Sequence, residues 1–253
     1  MSVAGSETAL ARRRQLGRAV LQVEAHGVRL TTGEGEERRT MIETSTLFPP
    51  HVVRTAFREA AAFWVADVAR VPADAWDRPG LGDWSLRALV GHTSRSLLTV
   101  ETYLDAGATE LALTSPAAYY VRALAPGIDA AAITERGRQA GAALGDDPLG
   151  AVHALYERVM ARLDAAADEA RVGTLVGGMT LITYLPTRIV ELTIHTLDLV
   201  AALGEDVECP LPDAAAAVTT QVIMDLAHHR GRDGLLLLAA TGRRPLPTGF
   251  TVL

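Results

Sequence analysis

The sequence predicts a mainly α-helical protein, a helical bundle that carries a small C-terminal α/β appendage. Apolar residues recur at helical spacing in several long segments, as at Val53, Phe57, Ala60, Ala61, Trp64 and Val68. The stretch Tyr184–Leu203 is apolar around most of a helix, which marks it as buried rather than laid on a surface. From Glu205 the pattern changes in kind: Pro210 and Pro212 interrupt it, and LLLLAATG (Leu235–Gly242) reads as a strand.

Composition narrows the function classes. Apolar residues make up 49% of the 253 and charged ones 21%, a balance that can bury a sizeable core. A net charge of −6 argues against nucleic-acid binding, which needs a basic face. The 24 basic residues are all arginine, and guanidinium suits carboxylates through paired hydrogen bonds. One cysteine, Cys209, excludes a disulfide framework and a cysteine-cluster metal site. Any thiol chemistry therefore needs a thiol that arrives with a cofactor. No charge-free apolar run is long enough to span a membrane. The opening MSVAGSETALARRRQLGRAVLQ lacks the apolar core and cleavage pattern of a signal peptide. The expectation is a cytoplasmic chain, monomeric or homodimeric, with no nucleic-acid or membrane partner.

Residues 1–45 are polar, with Arg12, Arg13 and Arg14 and a GEGEERRT run, and are expected to be disordered or to hold a stray helix over about Thr8–Ala25. Met41 is an alternative natural start. The bundle is placed over residues 46–204. Its first helix runs from about Pro50 to Val71, with Pro49-Pro50 fitting a helix start. The turn-rich PADAWDRPGLGD follows, and then a second helix to about Asp105, capped by Asp83 or Ser85. Its apolar face holds Leu86, Leu89, Val90, Leu97, Val100 and Leu104, with His92 at the edge. Residues 107–128 show weak periodicity and read as a connection with a short helix. Two helices follow, about Ala130–Leu144 and Pro148–Ala167, the second opened by Asp147-Pro148. GTLVGGMT is a short strand or loop, and Pro186 falls in the first turns of the next helix or makes a mild kink in it. In the appendage, residues 205–253, Asp213 caps a helix to about Arg230 and RRPLPTGFTVL makes a turn and a terminal strand.

At about 100° per residue, Arg188, Glu191, His195 and Asp198 line up in one stripe of the Tyr184–Leu203 helix. Ionisable groups inside a domain are costly unless paired or bound to a metal. Glu191 and His195 stand one turn apart and can converge on one ion. Catalytic zinc commonly takes three protein ligands and leaves a position open, and His92 on another helix is the natural third. Spacing alone leaves a second reading, in which His195 is a core histidine hydrogen-bonded to Glu191 or Asp198 and His92 is unrelated. His153 and Glu157 share the same spacing but fall off the apolar centre of their helix, as a solvated pair does. His228 and His229 sit near a helix end, where they meet its dipole or solvent. No phosphate-binding loop, HExxH motif or serine or cysteine nucleophile pattern is present.

Three passages resemble the mycothiol-dependent maleylpyruvate isomerase family, within the DinB-like superfamily of metal-binding four-helix bundles. LGDWSLRALVGH (Leu81–His92) is similar to the start of the family's second helix, ending in its first histidine ligand. RIVELTIHTLDL (Arg188–Leu199) resembles its Arg-x-x-Glu-x-x-x-His-x-x-Asp-Leu signature, and TGRRPLPTGFTVL is similar to the terminus of many members. The resemblance implies a DinB-like four-helix bundle with His92, Glu191 and His195 as ligands to zinc or another divalent metal. It also implies mycothiol as a thiol cosubstrate. The thiolate would add to the cis double bond of maleylpyruvate, allow rotation and leave, giving fumarylpyruvate; S-transfer to an electrophile is the related alternative. Arg188 would orient Glu191 or meet a substrate carboxylate, and Asp198 would support the metal ligands. A C-terminal arginine is also implied, with Arg230, Arg232, Arg243 and Arg244 as candidates. The rival expectation is a non-catalytic metal- or ligand-binding bundle with a regulatory role.

Overall fold

The computed structural model describes residues 20–24, 27–31, 48–125, 130–204 and 210–253. The chain divides into two units, Met1–Thr44 and Ser45–Leu253. In the first, strands β1 (Val20–Glu24) and β2 (Gly27–Thr31) pair as an antiparallel hairpin. Residues 20–24 are thus strand, where a helix was the alternative to disorder; the rest of that expectation, and Met41, lie outside the described residues. Cys209 lies outside them too.

The second unit is mainly helical. Helices α1 (Pro50–Val68), α2 (Leu86–Ala106), α5 (Pro148–Ala165) and α6 (Leu181–Ala202) close a ring in the order α1-α6-α2-α5, each packed on two neighbours. Helix α3 (Pro116–Ala123) lies against α6 and α7, and α4 (Ala130–Ala142) lies along α2. Strands β3 (Arg171–Thr174) and β4 (Gly177–Thr180) form the hairpin that leads into α6, so GTLVGGMT is strand on both sides of a turn. Helix α7 (Asp213–His229) packs on α1 and α6, and α8 (Asp233–Ala240) on α7. Among the described residues no helix is long and apolar enough to cross a membrane.

Local chemistry sets the helix ends. Pro50, Pro116 and Pro148 open α1, α3 and α5, where a missing N–H costs nothing and the fixed φ suits a helix. Ser85, Ser115, Asp147 and Thr180 cap α2, α3, α5 and α6 by accepting a backbone N–H of the first turn. Of the two candidate caps of α2, Ser85 is the one used. At the far end of α5, Arg54 donates to the Leu163 and Ala166 carbonyls at 2.8 and 2.6 Å, while its Nε reaches Asp168 at 2.6 Å. That satisfies carbonyls the helix leaves open. The core is the one the apolar spacing marks out: Phe57, Trp64, Leu86, Leu89, Leu97, Leu163, Leu185, Ile189 and Leu192 are fully buried.

The appendage needs a correction. Leu235–Leu238 belong to helix α8, and the tail after Ala240 contains no strand among its described residues. Leucine is a strong helix former, the run has no β-branched residue, and among the described residues no strand pairs with it. The appendage is therefore helical, followed by an irregular tail.

Candidate metal centre

The two elements that matter most are α2 and α6, neighbours in the ring. Helix α6 supplies the polar stripe as its spacing foretells: Arg188 is buried, and Glu191, His195 and Asp198 are half-buried. Helix α2 supplies His92. One ligand atom from each of His92, Glu191 and His195 lies within 4.8 Å of the others. The His92 and His195 rings stand perpendicular, centroids 5.0 Å apart. His153 and Glu157 are exposed on the outside of α5. His228 is also at the surface, its Nδ1 2.9 Å from Asp233.

Each member of the triad is held from behind. Asp198 lies 2.9 Å from His195 Nδ1, which leaves Nε2 turned toward Glu191 Oε2 at 3.4 Å. Tyr120 on α3 donates its single O–H proton between Glu191 Oε1 and the Thr187 carbonyl, both at 2.9 Å. Trp84 lies against the His92 ring at 4.4 Å between centroids and against His195 at 6.4 Å. The loop before α2 fixes that indole: Gly80 N bonds the Trp84 carbonyl at 2.8 Å, Leu86 N bonds Arg78 O and Arg87 N bonds Trp76 O, each at 2.9 Å. Trp84 Nε1 then donates to the Thr134 carbonyl of α4 at 2.9 Å.

Backbone approach makes this possible. A Cβ on Gly137 would sit 2.6 Å from the Trp84 ring, and one on Gly91 would sit 2.1 Å from Gly141 N. Glycine at those positions lets α4 close on α2 and leaves room for the indole beside His92.

The electrostatics follow from the same contacts. Burial, then the charge of His195, pulls His92 down to about 4, so at neutral pH it is an uncharged imidazole. Burial alone would raise Glu191, but its bond with His195, the Arg188 charge and the Tyr120 O–H outweigh it and hold the carboxyl at about 2. Burial likewise opposes charge on His195, and its bonds to Asp198 and Glu191 overcome it, raising the imidazole to about 9. Without an ion between them these groups set opposing pH limits. His195 binds its proton more tightly when folded, so its contribution is complete below about 6.5 and fades as pH rises through 9. His92 binds its proton less tightly when folded, so stability falls as pH drops from about 6.5 through 4. Glu191 adds a further loss toward pH 2. Denaturant melts of metal-free protein from pH 4 to 9 are expected to show a maximum near pH 6.5; stability that keeps rising to pH 9 would contradict the His195 environment.

A family model described as the mycothiol maleylpyruvate isomerase N-terminal domain matches residues 57–200, more than half of the chain. The chain belongs to this family. The matched span covers most of the four-helix ring and includes Trp84, His92, Tyr120 and the whole α6 stripe. No curated protein and no solved structure matches the chain.

The stripe of this isomerase-family chain is joined by residues not singled out from the sequence. Tyr119, Tyr120 and Tyr184 gather at the stripe, two of them from the segment of weak periodicity read as a connection with a short helix. The signal there was Ser115-Pro116, a cap followed by a first-turn proline, ahead of paired tyrosines. None of the four candidate C-terminal arginines makes a hydrogen bond, ion pair or ring contact with the triad among the described residues. Arg232 is taken up by the Thr251 carbonyl and the Phe250 ring, Arg243 bonds Thr241, Arg244 is exposed, and Arg230 follows the end of α7.

Proposed function

We propose that the chain is an enzyme that binds a divalent metal, zinc in the first instance, on His92, Glu191 and His195. It uses a low-molecular-weight thiol, mycothiol, as cosubstrate to act on a small molecule by cis–trans isomerisation or S-transfer. The observation that carries this reading is the donor set itself, two imidazoles and one carboxylate from two packed helices, within a family named for mycothiol and isomerisation. Three protein ligands with a fourth position free is the usual form of a catalytic zinc site. The fit is supported by His92 Nδ1, a buried ring nitrogen with no hydrogen-bond partner in the structure. A buried nitrogen of that kind is costly unless something meets it.

When bound, the ion supplies a Lewis acid that keeps a thiol ionised near neutral pH. The protein's own residues do the rest. Asp198 fixes the His195 ring and the tautomer it presents, Tyr120 fixes Glu191, and Trp84 fixes the plane of His92. These contacts hold the three donors in place before the site is filled, which reduces the cost of organising them.

Because His195 must give up its proton to act as a ligand, loading the site at pH 7 releases about one proton per ion. Apparent affinity then rises about tenfold per pH unit from pH 5 to 8 and flattens above 9. Titration calorimetry in two buffers of different ionisation enthalpy reads the released proton directly; none released would remove His195 from the ligand set. The function is tested by metal analysis of the purified chain, followed by turnover of maleylpyruvate and model electrophiles with and without thiol. Thiol-dependent turnover supports the enzyme. A stoichiometric ion with no thiol dependence identifies a metal-binding bundle without this catalysis.

A further inference from the structure

Two of the stripe's four ionisable residues are explained by the triad and a third, Asp198, by its contact with His195. Arg188 is not. Its residue is only 8% exposed, and a guanidinium does not lose its charge in a protein. Two alternatives stood for it: orienting Glu191 or meeting a substrate carboxylate. The structure removes the first as a direct contact. Glu191 is bonded to His195 and Tyr120, and Arg188 instead donates to two neutral oxygens, Thr187 Oγ1 at 3.0 Å and the Tyr119 hydroxyl at 3.3 Å.

The rings of Tyr119 and Tyr184 face the guanidinium at 5.3 and 5.1 Å. They soften the desolvation of the cation but provide no counter-ion. Three of its five N–H bonds have no acceptor among the described residues. Tyr119 accepts from Arg188 and keeps its own O–H to donate. The cation also lies close enough to act on both His92 and Glu191. With a divalent ion on the triad, the charges of Glu191, Asp198 and Arg188 leave the centre net positive. A buried site of that kind favours an anion.

We propose that Arg188 and Tyr119 form an anion-receiving corner beside the triad, which holds a carboxylate of the small-molecule substrate through paired N–H and O–H donors. Assigning that carboxylate to a substrate rests on the metal- and thiol-dependent reading; the binding of a carboxylate does not. The corner selects acids over their esters, since an ester carries no charge and offers poorer acceptors.

The test is calorimetric titration of maleate and its dimethyl ester into the full chain, zinc-loaded and metal-free. Maleate is expected to bind at least about tenfold more tightly than the diester. Arg188→Gln is expected to weaken maleate about tenfold or more, with zinc content and helicity retained, and Arg188→Lys to recover part of the loss. Tyr119→Phe keeps the ring, removes the hydroxyl and weakens maleate about threefold. Equal affinity for diacid and diester, or undiminished maleate binding in Arg188→Gln, overturns the proposal. Should Arg188→Gln fail to fold, Tyr119→Phe decides it, and unchanged maleate affinity there is the contrary result. Arg188-dependent maleate binding without thiol-dependent turnover leaves the corner standing and removes the enzyme. Thiol-dependent turnover that ignores Arg188 and treats diacid and diester alike does the reverse.

Discussion

His195→Ala is expected to empty the candidate metal centre. Zinc retained after loading and desalting, measured by mass spectrometry, falls from about one ion per chain to about a tenth or less. The two remaining donors, His92 and Glu191, are too few for a site built on three. Far-UV circular dichroism is expected to stay helical, because His195 lies on a half-buried stripe of α6 while Leu192, Leu199 and their neighbours carry the packing. The variant has a second effect that separates a ligand from a mere packing residue. In the metal-free chain the His195 imidazolium sits between Glu191 and Asp198. Its removal leaves two half-buried carboxylates without the cation between them, which costs on the order of 3 kcal/mol. A structural histidine would give that loss of stability with zinc content unchanged, and that outcome would end the metal assignment. His153→Ala, on the exposed face of α5, is the matched control and leaves both readouts alone.

Much of this centre could be read from the chain because its signal is a contradiction. Four ionisable residues recur on one face of a helix whose other faces are apolar, and burial makes such residues too costly to be incidental. His92 was legible for a similar reason, at the edge of a face otherwise made of leucine and valine. The supporting groups gave weaker signals. Tyr120 stands on a helix of eight residues, too short for periodicity to declare itself, and it is held in place by α6 and α7 rather than by propensity. The Leu235–Leu238 run misled because four leucines carry no period of either kind. Strand or helix is then decided by whether a pairing edge is near, which is a property of the fold.

The glycines of α2 and α4 were silent for the opposite reason: inside a helix a glycine reads as a weak point, about 1 kcal/mol poorer than alanine. At Gly91 the structure inverts that expectation. A methyl group there would meet Gly141 backbone at 2.1 Å, and backbone cannot rotate out of the way as a side-chain tip can. Gly91→Ala must push α4 from α2, at an overpacking cost of about 3 kcal/mol against the helix-propensity gain of about 1. The expected net loss is about 2 kcal/mol, a fall in Tm of about 4–8 °C for a domain of this size. The same displacement reaches the candidate metal centre. Trp84 hangs from the Thr134 carbonyl of α4 and packs over Gly137, and its indole lies against His92. Zinc affinity is therefore expected to fall about tenfold as well, although Gly91 is no ligand. Gly234→Ala on α8, where a methyl group meets nothing within 4 Å, makes the comparison: it is expected to be neutral or slightly stabilising with zinc unchanged. Thermal melts and zinc titrations on the two variants separate the explanations. Two equally stable variants would mean that α2 and α4 do not approach as described. A destabilised Gly91→Ala with undiminished zinc affinity would mean that the closeness matters to the fold, while Trp84 does not transmit it to His92.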